Sequence, residues 1–250
     1  MRRLVLALLL TLLAGPAAAE RLVTAVSDAD VEITSSFEGT TLALFGNIEP
    51  SMDGGITPPY QVILAVEGPR LDRVARRKTN NFGIWLNTEE VVFAPLPSYF
   101  HVISSDRLAN IADIVTLTVN GILPDARATS AAVGASWWQG AVFARQLVRL
   151  LGEDGAYRVR ERGIQFLSET AFTARIELPS SATNGRYIVR TFVFRGNELV
   201  LRHADSFYIR KTGFERFLAT SATQQPLLYG IACVLLALGT GWLGGWIFKR

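Results

Sequence analysis

The sequence predicts a mainly β protein: an antiparallel β-sandwich with a helical insertion, followed by one C-terminal membrane-spanning helix. Three observations predict it. Short runs rich in β-branched and aromatic residues recur between turn residues, the middle of the chain changes to helical spacing, and the last apolar run is long enough to cross a bilayer.

The first strand group reads VEITSSF (31–37), TLALFGNI (41–48), YQVILAVEG (60–68) and FGIWLNTEEVVF (82–93). The second reads GIQFLS (163–168), FTARIEL (172–178), RYIVRTFVFR (186–195) and ELVLRHADSFYIR (198–210). In RYIVRTFVFR, alternation puts Tyr187, Val189, Thr191 and Val193 on one face, and Ile188, Phe192 and Phe194 on the other together with Arg190. Gly196-Asn197 then makes a tight turn into the next strand. Two such groups of antiparallel strands pack as a sandwich. The segment LPSSATNGRY (178–187) brings a proline, a polar loop and Gly185 up to Tyr187. It resembles the approach to the penultimate strands of immunoglobulin-like domains, where a tyrosine ties the corner through its hydroxyl. The expected class is therefore an immunoglobulin-like antiparallel β-sandwich.

Between the groups the pattern changes. PSYFHVISSDRL (97–108) is expected to be helical from Pro97. SWWQGAVFARQLVRLLGE (136–153) begins with a capping serine and carries Trp137, Ala141, Ala144, Val148 and Leu151 at helical spacing, with Arg145 and Arg149 four apart. Residues 109–124 are open to either helix or strand, and VARRKTNN (74–81) is expected to contain a basic hairpin loop, Arg76 to Asn81, leading into the strand that carries Trp85.

The two ends set the expected compartment. MRRLVLALLLTLLAGPAAAE has a basic start, an apolar run and the small residues Ala17 and Ala19, the layout of a signal peptide cleaved after Ala19. Leu227 to Phe248 is 22 residues without a charge, which as a helix reaches about 33 Å. Tyr229 stands near one end, Trp242 and Trp246 near the other, and Lys249 and Arg250 hold that end on the cytoplasmic side. The expected organisation is a signal peptide (1–19), a periplasmic domain (20–211) with its helical insertion around 97–152, a juxtamembrane linker (212–226), a spanning helix (227–248) and a cytoplasmic tail (249–250). The protein then sits in the inner membrane as a single-pass protein.

Composition adds exclusions. Removing Arg2 and Arg3 with the signal peptide turns 25 cations into 23 against 22 acids, so the charge gives no sign of a nucleic-acid partner, which the expected compartment itself disfavours. The single cysteine, Cys233, lies inside the spanning run, so no disulfide forms within the exported part. Gly241 and Gly245 have the spacing through which two spanning helices approach, which would make a homodimer. Two histidines, His101 and His203, give no zinc or haem spacing, and no nucleophile elbow, P-loop or dinucleotide fingerprint is present. No catalytic residue, metal site or cofactor is expected. HADS (203–206) places Ser, His and Asp together in one strand, where an ordinary structural histidine outweighs a catalytic one. Glu89 and Glu90 point to opposite faces of a strand and so do not form a facing carboxylate pair.

A resemblance rests on several of these stretches: VEITSSFEGTTLALFG (31–46), VEGP (66–69) followed by RRK (76–78), GIWLN (83–87), PSYFHVISS (97–105), GRYIVRTFVFRG, GFERFL (213–218) and PLLYGIACVLLALGTGWLGG (226–245). Together they resemble an alphaproteobacterial family of transmembrane proteins of unknown function. The resemblance implies an exported domain with a C-terminal anchor and supplies no activity and no catalytic residues. It also implies, at most, a membrane partner, an integral membrane protein such as a sulfite-exporter-like permease.

Two function classes fit the sequence. One is a non-catalytic interaction or accessory module held on the lipid bilayer. The other is a periplasmic domain that binds or processes a small oxyanion, such as a sulfur oxyanion, through Arg76, Arg77, Lys78 and Trp85 with Arg145 and Arg149, since guanidinium forks suit tetrahedral anions. The opposing reading of the same cations is that they keep a sheet edge from pairing with a neighbour.

Overall fold

The structure, a computed structural model, describes residues 20–33, 39–49, 59–211 and 221–247. The expected signal peptide, most of the expected juxtamembrane linker, and Lys249 and Arg250 lie outside them. Contacts divide the chain into a unit of residues 1–31 and 38–209 and a second unit of 32–37 and 210–250.

The first unit holds two facing sheets. One has the order β1 (Arg21–Val26), β3 (Gly39–Glu49), β11 (Ala171–Pro179) and β10 (Ile164–Phe166). Its strands alternate as the sequence predicts: Leu42, Leu44, Gly46 and Ile48 of β3 and Phe172, Ala174, Ile176 and Leu178 of β11 are buried, and the residues that alternate with them are not. Across this pair Phe172 stands opposite Gly46, and a Cβ on Gly46 would come within 2.2 Å of the ring, so the aromatic side chain lies over the glycine.

The second sheet has the order β2 (Asp30–Ile33), β13 (Glu198–Lys211), β12 (Gly185–Arg195), β4 (Tyr60–Glu67), β7 (Phe100–Ser104) and β9 (Tyr157–Arg160), with a parallel β7–β9 pair. Its centre is buried on both faces. Val62, Leu64, Val66, Tyr187 and Val189 turn one way, and Ile63, Ala65, Phe100, Val102, Phe192 and Phe194 turn the other, onto a layer of helices. That layer comprises α1 (Leu108–Ile111), α2 (Ile114–Val119), α3 (Pro124–Ser130) and α4 (Trp137–Glu153). Leu108, Ile111, Leu117, Ile122 and Leu151 supply its buried side chains. The result is mainly β, with a helical insertion against one face.

Double burial corrects one expectation. The stretch 97–108 is read as helical from its apolar run, but Phe100–Ser104 is strand β7, buried at every position. A strand covered on both faces loses its two-residue alternation, and a continuous apolar run is then ambiguous. The helical insertion accordingly starts at Leu108 rather than near 97.

The corner and turn expectations hold. The Tyr187 hydroxyl donates to the Thr183 carbonyl at 3.0 Å, and burial pushes its pKa up to about 12. Gly196 and Asn197, at φ 56° and 75°, close the two-residue loop between β12 and β13. Ser136 takes the N-cap position of α4, but its hydroxyl makes no capping bond. The buried face of α4 runs through Gly140, Phe143, Ala144 and Leu151, while Trp137, expected on it, is 82% exposed.

A third sheet stands apart from the sandwich pattern: β5 (Arg70–Asn81), β6 (Ile84–Pro97) and the two-residue β8 (Ala132–Val133). The second unit carries α5, Pro226–Ile247. Its stretch Pro226–Trp246 has a mean hydropathy of 1.8, with no residue buried against protein.

Candidate functional site

The third sheet is a hairpin in which β5 pairs with β6 from Arg70↔Pro97 to Asn81↔Ile84. This corrects the hairpin loop expected over Arg76 to Asn81. Those residues are strand, and the loop is Phe82-Gly83 at φ 53° and 84°, with the Gly83 amide donating to Asn80 Oδ1 at 2.9 Å. Two positive-φ residues define the turn whose twist suits a hairpin, and asparagine or aspartate normally precedes the glycine. A bulky aromatic there is an outlier. Phe82 is also fully exposed, at 105%.

β8 covers only Val92 and Phe93, so the outer part of the hairpin is paired only within itself. Ile84 (62%), Trp85 (66%) and Leu86 are exposed beside Phe82. Trp85 stands in the open, opposite Asn80, and not under the helical layer. Arg76 pairs with Glu90 at 3.2 Å and Arg77 with Glu89 at 3.7 Å, all four side chains exposed. Lys78 follows, opposite Asn87 across a register shift.

A groove of about 480 Å³ runs between β5 and α4. Val74 and Ala75 line one wall and Val142, Phe143, Leu147 and Leu150 the other, with Arg76, Arg77 and Gln146 supplying the polar rim. Beneath it Val91, Phe93, Leu96, Ala128, Phe143 and Ala144 form a small buried cluster that holds the hairpin base to the helices. The structure therefore brings Arg76 and Arg77 to a site, but it does not bring Arg145 and Arg149 with them. Both of the latter are exposed on α4 outside the groove lining, and Arg149 bonds Gln146 and Glu153 of its own helix.

Two polar clusters lie inside the domain, and the sequence reading singles out neither. In the first, Glu67 ends the buried strand β4 and receives both Arg127 nitrogens, at 2.6 and 2.7 Å, together with an ion pair from Arg190. The Arg127 guanidinium also lies 5.0 Å over the Phe100 ring. Burial lowers the pKa of both arginines. The available signals were an acid closing an apolar run and an arginine, Arg190, on an otherwise apolar strand face.

In the second, the Tyr99 hydroxyl donates to the Glu177 carbonyl at 2.7 Å and lies 2.9 Å from His101 Nδ1. Having one proton, that hydroxyl accepts from Nδ1–H, which leaves the Nε2 lone pair of His101 buried with no partner among the described residues. His101 is pushed down to about 4 by burial first and by Arg158 second. Arg158 and Arg160 both reach Glu177, at 2.9 and 2.7 Å, at the mouth of a cavity of about 230 Å³.

In the HADS stretch, His203 Nε2 lies 3.4 Å from Asp205 Oδ1, and the Thr24 hydroxyl donates to the same Asp205. Alternation turns Ser206 to the opposite face, so the stretch forms no triad by itself. In α5, Trp242 (73%) and Trp246 (71%) are exposed, Tyr229 is half-buried, and nothing lies within 4 Å of where a Cβ would stand on Gly241 or Gly245.

The chain from residue 21 to 250 matches the family model described as "Putative transmembrane protein (Alph_Pro_TM)". The chain belongs to that family. In this Alph_Pro_TM protein, the one helix among the described residues that is long and apolar enough to cross a bilayer is α5. Comparison with curated proteins gives no match.

Proposed function

We propose that this Alph_Pro_TM protein is a membrane-anchored, non-catalytic accessory module whose periplasmic domain engages an integral membrane partner or envelope complex through the β5–β6 arm. The signal-peptide layout, the α5 anchor and the terminal cations Lys249 and Arg250 support the orientation, with the domain exported and the C-terminus inside. A permease of the sulfite-exporter-like kind is one partner of this type.

The observation that carries the reading is the arm's tip. Phe82, Ile84 and Trp85 together expose an apolar surface on a two-stranded arm, and Phe82 occupies a backbone region unfavourable to it. Such a residue contributes nothing to the domain's own core, and aromatic anchors of this kind dominate protein interfaces. The oxyanion reading fits less well, because Arg76 and Arg77 already face Glu90 and Glu89 while Arg145 and Arg149 lie outside the groove.

Affinity capture of the full chain from gently solubilised membranes is expected to return a stoichiometric membrane partner. The variant Phe82→Asn, which places the preferred residue before Gly83, is expected to melt no lower than the parent and to lose that partner. Capture of the protein alone in several detergents, or equal recovery with Phe82→Asn, contradicts the reading.

A further inference from the structure

The β5 strand has a partner on one side only. It is the terminal strand of its sheet, and among the described residues no backbone bond reaches the other edge of Leu71 to Asn81. An open edge presents a row of amide and carbonyl groups that another extended chain satisfies. This edge is also one wall of the 480 Å³ groove, where consecutive residues of β5, from both strand faces, line the space. Lining residues from both faces fit a cavity that runs along the strand's open edge. The opposite wall is a helical stripe in which Val142, Gln146 and Leu150 recur every four residues, and Val142 and Leu150 are about half exposed.

An open strand edge facing an apolar helix stripe accommodates a strand. We propose that the groove between β5 and α4 is a strand-addition site, taking an extended segment of a partner protein with apolar side chains at alternate positions and a carboxylate that meets Arg77, whose 3.7 Å ion pair with Glu89 is too long for a hydrogen bond. The inference rests on the interaction-module reading and adds the geometry of the contact.

The charge on the edge selects the occupant. Arg76, Arg77 and Lys78 follow one another along β5, so a second copy pairing antiparallel through the same edge sets cations against cations. An acidic strand meets the opposite situation, and β6 already shows it: Glu90 and Glu89 stand directly across from Arg76 and Arg77 on the closed side. Upstream on the same strand, Arg73 has a buried Nε with no acceptor among the described residues. The run from Val74 to Lys78 spans about 17 Å at a strand's rise of roughly 3.3 Å per residue, room for a segment of about five residues.

The test pans the full chain, held in lipid nanodiscs, with a phage-displayed library of random peptides about seven residues long, enough to cover that span. The expected winners alternate apolar residues with at least one acid. They should slow hydrogen exchange of the amides in 74–78, and Val142→Asp, at an exposed position, or Arg77→Glu should weaken them by at least about tenfold. Methylating alternate backbone amides of a winning peptide should abolish binding. The inference is overturned by no enrichment, by binding without protection of 74–78, by equal binding of the methylated peptide, or by protection of 74–78 without peptide through self-association. Phe82→Asn separates the two proposals, because it should release the captured membrane partner and leave peptide binding unchanged. A partner captured through the tip with no peptide bound at the groove leaves the interaction reading standing and removes this one.

Discussion

Replacing Glu67 by glutamine is expected to destabilise the domain by about 3–5 kcal/mol, the usual cost of removing one partner from a buried ion pair. The side chain of Glu67 is 6% exposed and takes two hydrogen bonds from Arg127, whose side chain is 15% exposed. Arg190, 30% exposed, shares the same carboxylate. Glutamine keeps the shape and one acceptor but leaves two guanidinium groups facing each other without a counter-charge. Burial lowers the pKa of both arginines, but a guanidinium in a protein keeps its proton and does not escape the repulsion by neutralising. Arg127 sits on α3, so the helical layer is also released from the sheet at this point. For a domain of this size the melting temperature of the full chain in detergent should fall by about 10 °C. The combined change Glu67→Leu, Arg127→Met and Arg190→Met removes every charge at once and should cost far less than Glu67→Gln alone. Equal losses for the two variants would mean that packing volume, rather than uncompensated charge, is what the cluster supplies.

Acid is expected to destabilise the domain through His101. Its pKa in the folded chain is about 4, against roughly 6.5 when unfolded. The unfolded chain therefore binds a proton in the interval between these values that the folded chain does not, and stability falls as the pH drops from 6.5 to 4. The full effect is about 3 kcal/mol, and below pH 4 both states carry the proton and this slope ends. The groups facing the imidazole are Tyr99, Arg158, Arg160 and Glu177, and the two cations oppose a charge on it. Melting temperatures measured from pH 8 to pH 4 should fall for the parent and stay flatter for His101→Gln. Asp106, held down to about 2 chiefly by its hydrogen bond from Asn110, acts in a separate and more acidic window. Identical pH profiles for parent and variant would show that His101 is not the group that titrates.

The parts of the fold that were legible in the sequence are those with one wet face and one dry face. The strands β3 and β11 alternate in composition and in burial, the first half of β12 does so up to Arg190, Gly196-Asn197 announces its turn, and Tyr187 ties its corner. α4 was legible through its spacing, although Trp137 pulled the expected face away from Phe143. β7 was not, because two dry faces erase alternation. β5 failed for the opposite reason. Nearly every side chain of RLDRVARRKTNN is wet, and nothing local distinguishes such a strand from a loop. Its conformation comes from pairing with β6, a tertiary effect that outweighs composition.

The candidate site was half legible. Arg76, Arg77, Lys78 and Trp85 do share one hairpin, as their closeness in sequence requires. The groove was not visible, because it joins residues 74–77 to 142–150, and no local pattern announces that meeting. The same holds for Glu67 with Arg127 and Arg190, which the chain brings together from three separate elements.

The arm and its groove are the proposed surface through which this membrane-anchored domain meets its partner. A photo-crosslinking amino acid placed singly at positions 74, 82, 85 and 142, and for comparison at 23, 45 and 167, tests it in the intact membrane. All seven positions are substantially exposed in the described structure. One discrete adduct of a membrane protein is expected from the first four positions and none from the other three. Equal adducts from both groups, or adducts only from 23, 45 or 167, would contradict it.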